Sequence, residues 1–470
     1  MRSTSLFVGL GALASAAAAL SAGACGGDTS GTGGAEPVCS VEAQTGCGNG
    51  TRCEEVEGGE AACFAPLVVE GRVSDLLDDS SVSGALVIAL DETGTALSTS
   101  AATDTDGHYE LRIPAKRDAD GKPLPLPFSL RVDASRYVSF PRTPRLAPSL
   151  DVTDAVTDGT GGGGPSVGWT LASEDTDVAL LPLADTDGLG SVSGIVKGDD
   201  AAGTLVLAGG STGVADRDGD FIVFNVPAGE VNVSGYRMGA NFGTGTISVD
   251  PNKEAAGVVL ERTGDASAVV TGSTDLVDGA SKEVDVELAL EGSFDDARVA
   301  GEAPPGLRTT TQAGAYTFQG VPDGIYVVLA SVANDGLVHD ADTSAGGAPL
   351  ARVTVAGGDA DVATPLRLKS AIAIVSPGAN GVDVASGTPK LSWKDDASED
   401  GYHVEVFDLR GGLLWETTGD FGPGDAGTAS VDYAGPPLDP GVLYQFFVTS
   451  SSGPTPLTKS EDLRGVFRYQ

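Results

Sequence analysis

The chain's 470 residues exceed what one hydrophobic core supports, and 67 glycines, 26 prolines and abundant Val, Thr and Asp favour strands and tight turns over long helices. Against 28 basic side chains stand 66 acidic ones, a formal charge of −38 at pH 7 that repels phosphates and anionic lipid headgroups. Nucleic acid as a partner and adhesion through a polybasic face are set aside on that ground, and an all-β chain of about three or four domains is expected.

Residues 1–24 read as a secretory signal: Arg2 is the cationic start, residues 6–20 are apolar, and Ala22-Gly23-Ala24 supply the small residues of a cleavage point. The apolar run is short for a membrane span. Cys25 follows directly. This order resembles the bacterial lipoprotein signal, although Ala22 stands where that signal usually has Leu. The resemblance implies that Cys25 receives lipid and anchors the chain in a membrane; Gly26 in place of Asp resembles outer-membrane sorting. An ordinary cleaved signal would instead leave Cys25 a spare thiol. Residues 25–37, rich in Gly, Ser, Thr and Ala, read as a flexible tether.

With Cys25 assigned to lipid, four of the five cysteines remain: Cys39, Cys47, Cys53 and Cys63, interleaved with Gly46, Gly48, Gly50, Gly58 and Gly59. So short a segment buries too little to fold unaided, so residues 38–66 read as a small disulfide-rich module with three pairings open. The rival reading is a zinc site. The absence of a CxxC spacing and an oxidising compartment argue against it.

Beyond Cys63 short alternating apolar runs recur between Gly and Asp turns, with strands expected near residues 68–73, 85–90, 109–113 and 128–132. Residues 157–164, with four consecutive glycines, read as a long loop before one more strand at 177–183. A pattern then repeats. Val-x-Gly-x-Val opens at Val69 and at Val192, with a weaker copy from Val270. Asp106-Gly107-His108-Tyr109, Asp218-Gly219-Asp220-Phe221 and Gly314-Ala315-Tyr316 each place an aromatic two residues after a turn glycine. Pro227-Ala228-Gly229 and Pro322-Asp323-Gly324 follow at matching distances. Glycine permits the positive φ of a hairpin, and the aromatic is expected to face the core.

These motifs resemble the carboxypeptidase regulatory-like family of transthyretin-like β-sandwiches, in three degenerate copies at 67–184, 190–263 and 265–369. The first copy departs from the pattern by inserting Asp118-Ala119-Asp120-Gly121, and the third lacks the Asp before its turn glycine. Residues 371–470 differ. Trp393, Tyr402, Leu438, Pro440 and Tyr444 resemble the fibronectin type III pattern, which implies a sandwich whose Trp and Tyr pack between sheets and whose later Tyr hydroxyl reaches backbone. The expected fold class is therefore all-β, tandem transthyretin-like and immunoglobulin-like sandwiches after a signal and a small disulfide-rich module. An elongated serial array is expected.

Chemistry is sparse. His108, His339 and His403 show no metal-ligand spacing, and His108 and His403 read as solvent-facing strand residues. Asp104-Thr105-Asp106-Gly107, Asp185-Thr186-Asp187-Gly188 and Asp216-Arg217-Asp218-Gly219-Asp220 look like the start of a calcium loop. Ala115, Val196 and Pro227 stand where its bidentate Glu belongs, so tight turns are expected instead. No catalytic residue, cofactor or metal ligand is named. The chain reads as a non-enzymatic, lipid-anchored, extracytoplasmic envelope protein with structural, adhesive or protein-interaction roles toward an envelope protein or polysaccharide. The alternative is a carbohydrate-binding surface lipoprotein with Tyr236, Phe242, Trp169 and Trp415 as conceivable stacking platforms.

Overall fold

The computed structural model describes residues 39–41, 44–48, 50–142, 147–157, 167–277, 283–295, 301–312, 314–330, 336–340, 350–396, 399–408, 411–422 and 427–470. The signal, Cys25, the tether at 25–37 and most of the glycine-rich stretch at 157–164 lie outside the described residues. Regular structure within them is strand, apart from the 3-10 turns Val152–Asp154, Glu174–Thr176 and Glu291–Ser293. No helix among the described residues is long and apolar enough to cross a membrane.

The cysteine-rich segment is a two-stranded ladder, Arg52–Glu54 against Ala62–Phe64, with Cys53 opposite Cys63. Those two cysteines do not bond to each other. Each reaches back to the preceding loop, giving Cys39–Cys53 and Cys47–Cys63 with Cα separations of 5.7 and 5.5 Å. The ladder is clamped to the strands that follow. Arg117 lies fully buried, its Nε donating to Glu54 Oε2 at 2.6 Å and its Nη2 to the Ala65 carbonyl at 3.1 Å, while its guanidinium sits 5.2 Å from the Phe64 ring centre. The inserted Asp118-Ala119-Asp120-Gly121 is the turn that holds this arginine in place: Asp118 Oδ1 accepts the Asp120 and Lys122 N–H groups.

The three repeats share one wiring. Their opening strands, Leu67–Asp75, Leu189–Lys197 and Ala268–Leu276, each pair antiparallel with the strand carrying the aromatic: His108–Ile113, Asp220–Pro227 and Ala315–Val321. Each also pairs parallel with a closing strand, Val178–Leu180, Glu254–Asp265 or Leu366–Ser370. The two sequence motifs turn out to be one unit, because Gly71 lies opposite Tyr109, Gly194 opposite Phe221 and Gly272 opposite Tyr316. A Cβ on Gly71 would strike the Thr176 carbonyl and the Tyr109 hydroxyl, and one on Gly272 would strike the Tyr316 ring. The glycine is the space into which the aromatic folds. Strict alternation along His108–Ile113 buries Tyr109, Leu111 and Ile113 and leaves His108, Glu110 and Arg112 outside. Burying each large apolar side chain contributes about 1.5–3 kcal/mol.

A second sheet covers the core of the first repeat (Ala101–Ala102, Leu86–Leu90, Pro127–Asp133, Leu150–Asp151) and of the third (Arg308–Thr311, Val284–Leu290, Gly324–Ala330, Ala351–Val355). In the second repeat Ala240–Phe242 bridges the two layers into one eight-stranded sheet. The C-terminal residues form a three-stranded sheet (Ile374–Ser376, Lys390–Lys394, Thr428–Asp432) facing a six-stranded one built on Gly401–Asp408 and Leu443–Ser452. Trp393 and Tyr402 are fully buried between them, edge to face at 5.2 Å.

Residues 39–470 fall into one unit by their contacts, with the repeats packed on one another. Ile88 and Ala96 of the first repeat and Leu205 and Val214 of the second join the core cluster of the third, and Leu181 packs with Leu443 and Val466 near the C-terminus. Polar groups seal the same junctions. The Asn225 side chain donates to the Ala134 and Tyr137 carbonyls and accepts the Arg136 N–H, and Asp216 Oδ2 accepts from Ser100. Sandwiches standing apart would leave Ile88, Ala96, Leu205 and Val214 without these partners, and mutual packing removes them from water.

Candidate functional site

A cleft of about 870 Å³ opens where all three repeats and the C-terminal unit meet. Tyr137 and Arg142 reach it from the first repeat, Thr212 from the second, Glu302 and His339 from the third and Lys459 from the C-terminal unit. Its floor adjoins a buried polar junction. Arg131, on Pro127–Asp133, donates through Nε to Asp133 Oδ2 at 2.7 Å, through Nη1 to Glu302 Oε2 at 2.5 Å and through Nη2 to Thr212 Oγ1 at 3.3 Å. Thr212 Oγ1 in turn donates to Glu302 Oε1 at 2.5 Å. Four side chains from three repeats thus satisfy one another.

The electrostatics follow from this pairing. Burial works against ionisation of Glu302, but the Arg131 guanidinium and the Thr212 hydroxyl outweigh it and hold the carboxyl below the usual range. Burial likewise opposes the charge of Arg131, yet Asp133 and Glu302 raise its pKa above the ordinary arginine value. His339 is pushed below the usual histidine range, first by burial and then by Lys459, against the pull of Asp340, so the ring is neutral at pH 7. Arg308 pairs with Glu287 at 2.5 Å and Lys459 with Asp462 at 3.1 Å. These two cleft cations therefore have carboxylate partners of their own.

The residues singled out from sequence sit elsewhere. Cys39, Cys47, Cys53 and Cys63 are consumed in the two disulfides, and Cys25 lies outside the described residues. Trp169, Tyr236, Phe242 and Trp415 are all half-buried against core clusters, and Trp415 stacks edge to face on Tyr433 at 5.2 Å. They serve as plugs of the sandwiches. His108 is exposed beside its hairpin, and His403 lies on an outer sheet face against Glu416. The aspartates of the calcium-like stretches are engaged in their own turns: Asp104 Oδ1 accepts the Asp106 and His108 N–H groups at 2.9 Å, Asp185 accepts that of Asp187, and Asp216 those of Asp218 and Asp220.

Sequence reading missed Arg131, Asp133 and Glu302. The one local signal was a charged pair alternating with the apolar residues of a core strand, Leu130-Arg131-Val132-Asp133, whose partner lies 171 residues away.

No family model matches the chain, and no curated protein matches it. Solved structures similar to it include the TIE protein of Bacillus anthracis (10% identity, 83% of this chain and 68% of that one, TM-score 0.17) and BcpA, the major pilin subunit of Bacillus cereus (11%, 65% and 99%, TM-score 0.15). A DUF3823 family protein from Bacteroides ovatus is similar over 43% of this chain and 98% of its own, at 12% identity and a TM-score of 0.19. Likenesses at these TM-scores carry no argument, and the β-sandwich architecture rests on the strand pairing described above.

Proposed function

We propose that this chain is a non-enzymatic, lipid-anchored protein of the bacterial envelope, sorted to the outer membrane, whose sandwich body serves structural, adhesive or protein-interaction roles. The supporting observation is the Arg131–Asp133–Thr212–Glu302 junction, which ties three repeats into a body with fixed mutual geometry. A body held this way suits presentation of surfaces at a set spacing. We read it as a disulfide module at 38–66, regulatory-like sandwiches at 67–184, 190–263 and 265–369, and a fibronectin type III-like sandwich at 371–470. The glycine–aromatic register common to the three repeats supports the first assignment; for the second, the Tyr444 hydroxyl accepts the Asp439 N–H at 2.8 Å in the manner of a tyrosine corner.

Anchoring would come from lipid on Cys25. One acyl chain holds a protein only marginally, whereas the two or three chains of a bacterial lipoprotein hold it stably. Growth with labelled palmitate should mark the native chain and not Cys25→Ser, which should appear in the soluble fraction; an unlabelled native chain refutes the anchor. For the body, cross-linking in intact envelope should trap a protein neighbour. Carbohydrate binding is the second reading, with the 870 Å³ cleft as its seat. A glycan array probed with the delipidated chain separates the two: saturable sugar binding lost on Tyr137→Ala replaces the scaffold reading.

A further inference from the structure

We infer that the outer face of the C-terminal unit binds a divalent cation of the zinc type through His403, Glu405 and Glu416. This site is independent of the anchoring and display proposed above.

Strand Gly401–Asp408 alternates strictly, so the buried Tyr402, Val404 and Val406 face the core while His403 and Glu405 share the opposite face. The adjacent antiparallel strand Leu413–Gly419 sets Glu416 directly across from Glu405. One ligand atom from each of the three lies within 4.8 Å of the other two. His403 Nε2 is 2.9 Å from Glu416 Oε2, and Nδ1 is 3.8 Å from Glu405 Oε2.

Two carboxylates directly opposite on a sheet repel each other and the formal charge of −38 adds to that cost; a cation held at His403, which touches both, relieves it. An imidazole with two carboxylates is a donor set suited to zinc, and water completes the coordination of such a three-ligand site. The side chains are 36%, 28% and 58% exposed, which leaves an entry path and room for that water. Gly401–Asp408 is hydrogen-bonded on both edges, to Leu413–Gly419 and to Leu443–Ser452, so the backbone carrying His403 and Glu405 is held in place, while Glu416 stands on the edge strand. Among the described residues the other set of close donors, Cys39, Cys47 and Cys63, is closed to metal by its disulfides. Sequence reading had named no metal ligand, because Glu416 joins His403 and Glu405 only through strand pairing.

The test is calorimetric titration of zinc chloride into the full chain with disulfides intact, in excess magnesium to occupy diffuse acidic sites. One saturable equivalent is expected. His403→Ala and Glu416→Gln should weaken it on the order of 100-fold or more, since loss of a ligand exceeds the effect of losing an outer-shell partner. Asp104→Asn should leave it unchanged. Zinc should also raise the thermal midpoint of the native chain and not that of His403→Ala. All three ligands are solvent-accessible, so the variants should keep the native far-ultraviolet spectrum. The absence of a saturable equivalent, or one unaltered in both ligand variants, overturns the site.

Discussion

Among the described residues two arginines are buried, Arg117 and Arg131, and their carboxylate partners respond differently. Arg117 clamps the disulfide ladder to the first repeat and meets one carboxylate, Glu54, its other contacts being the Gly121 and Ala65 carbonyls and the Phe64 ring. Arg131 ties three repeats together and meets two carboxylates, one of which also accepts from Thr212. The carboxyls register the difference. Burial raises the pKa of Glu54 despite Arg117 and the Ala115 N–H, whereas Arg131 and Thr212 lower that of Glu302. The Glu54 side chain is 1% exposed and that of Glu302 28%, so the balance between desolvation and pairing follows from the depth of each carboxyl together with the bonds offered to its ionised form.

The largest test of this contrast is Arg131→Met. It strands Asp133 and Glu302 near each other without a cation, a loss of about 3–5 kcal/mol. Urea unfolding of the body should shift accordingly, and hydrogen exchange should quicken at Thr212 and around Glu302 together. Exchange confined to Pro127–Asp133 would mean that the junction does not couple the repeats. Arg117→Met should cost less, about 3 kcal/mol at most, because burial raises the pKa of Glu54 and so eases its protonation once the guanidinium is gone, and the disulfides keep the ladder itself folded. Its signature is local: protease should gain access near Ala62–Phe64 while the repeats stay protected.

The same contrast explains what was legible beforehand. Strand alternation is local, so the runs at 68–73, 85–90, 109–113 and 128–132 reappear as Leu67–Asp75, Leu86–Leu90, His108–Ile113 and Pro127–Asp133. Each turn glycine and each aromatic was visible too. Their pairing was not, because cross-strand register is set by strands far apart in sequence and leaves no periodicity in either. The cysteine pairing was open for a similar reason: spacing weighs three connectivities alike, and the ladder that sets Cys53 beside Cys63 exists only once folded. Asp118-Ala119-Asp120-Gly121 looked like a blemish in the repeat, and its role appears only with the buried Arg117 in view. For the sites, single residues such as His403 could be named from sequence; Glu302 and Glu416 could not be assigned to their partners.

Smaller in size, and sharper as a test, are the two carboxamides. Glu302→Gln replaces charge-assisted bonds to Arg131 with neutral ones and should cost about 1.5–3 kcal/mol at pH 7. Because the folded pKa of Glu302 lies below its unfolded value, its contribution is present above the ordinary carboxylate range of about 4.3 and is lost as pH falls through the folded value. The native chain should therefore lose stability on acidification more steeply than Glu302→Gln does. Glu54 has the opposite sign. Its folded pKa lies above the unfolded one, so the favourable state is the protonated one below about 4.3, and stability declines as pH rises through the folded value. Glutamine at 54 mimics that protonated state but leaves the buried Arg117 without a carboxylate, so Glu54→Gln should cost less than Glu302→Gln at pH 7 without being neutral. Urea midpoints at pH 4 and pH 7 for the two variants distinguish the cases, and equal losses at both positions would mean that the depth of the carboxyl and the bonds offered to it do not decide between burial and pairing.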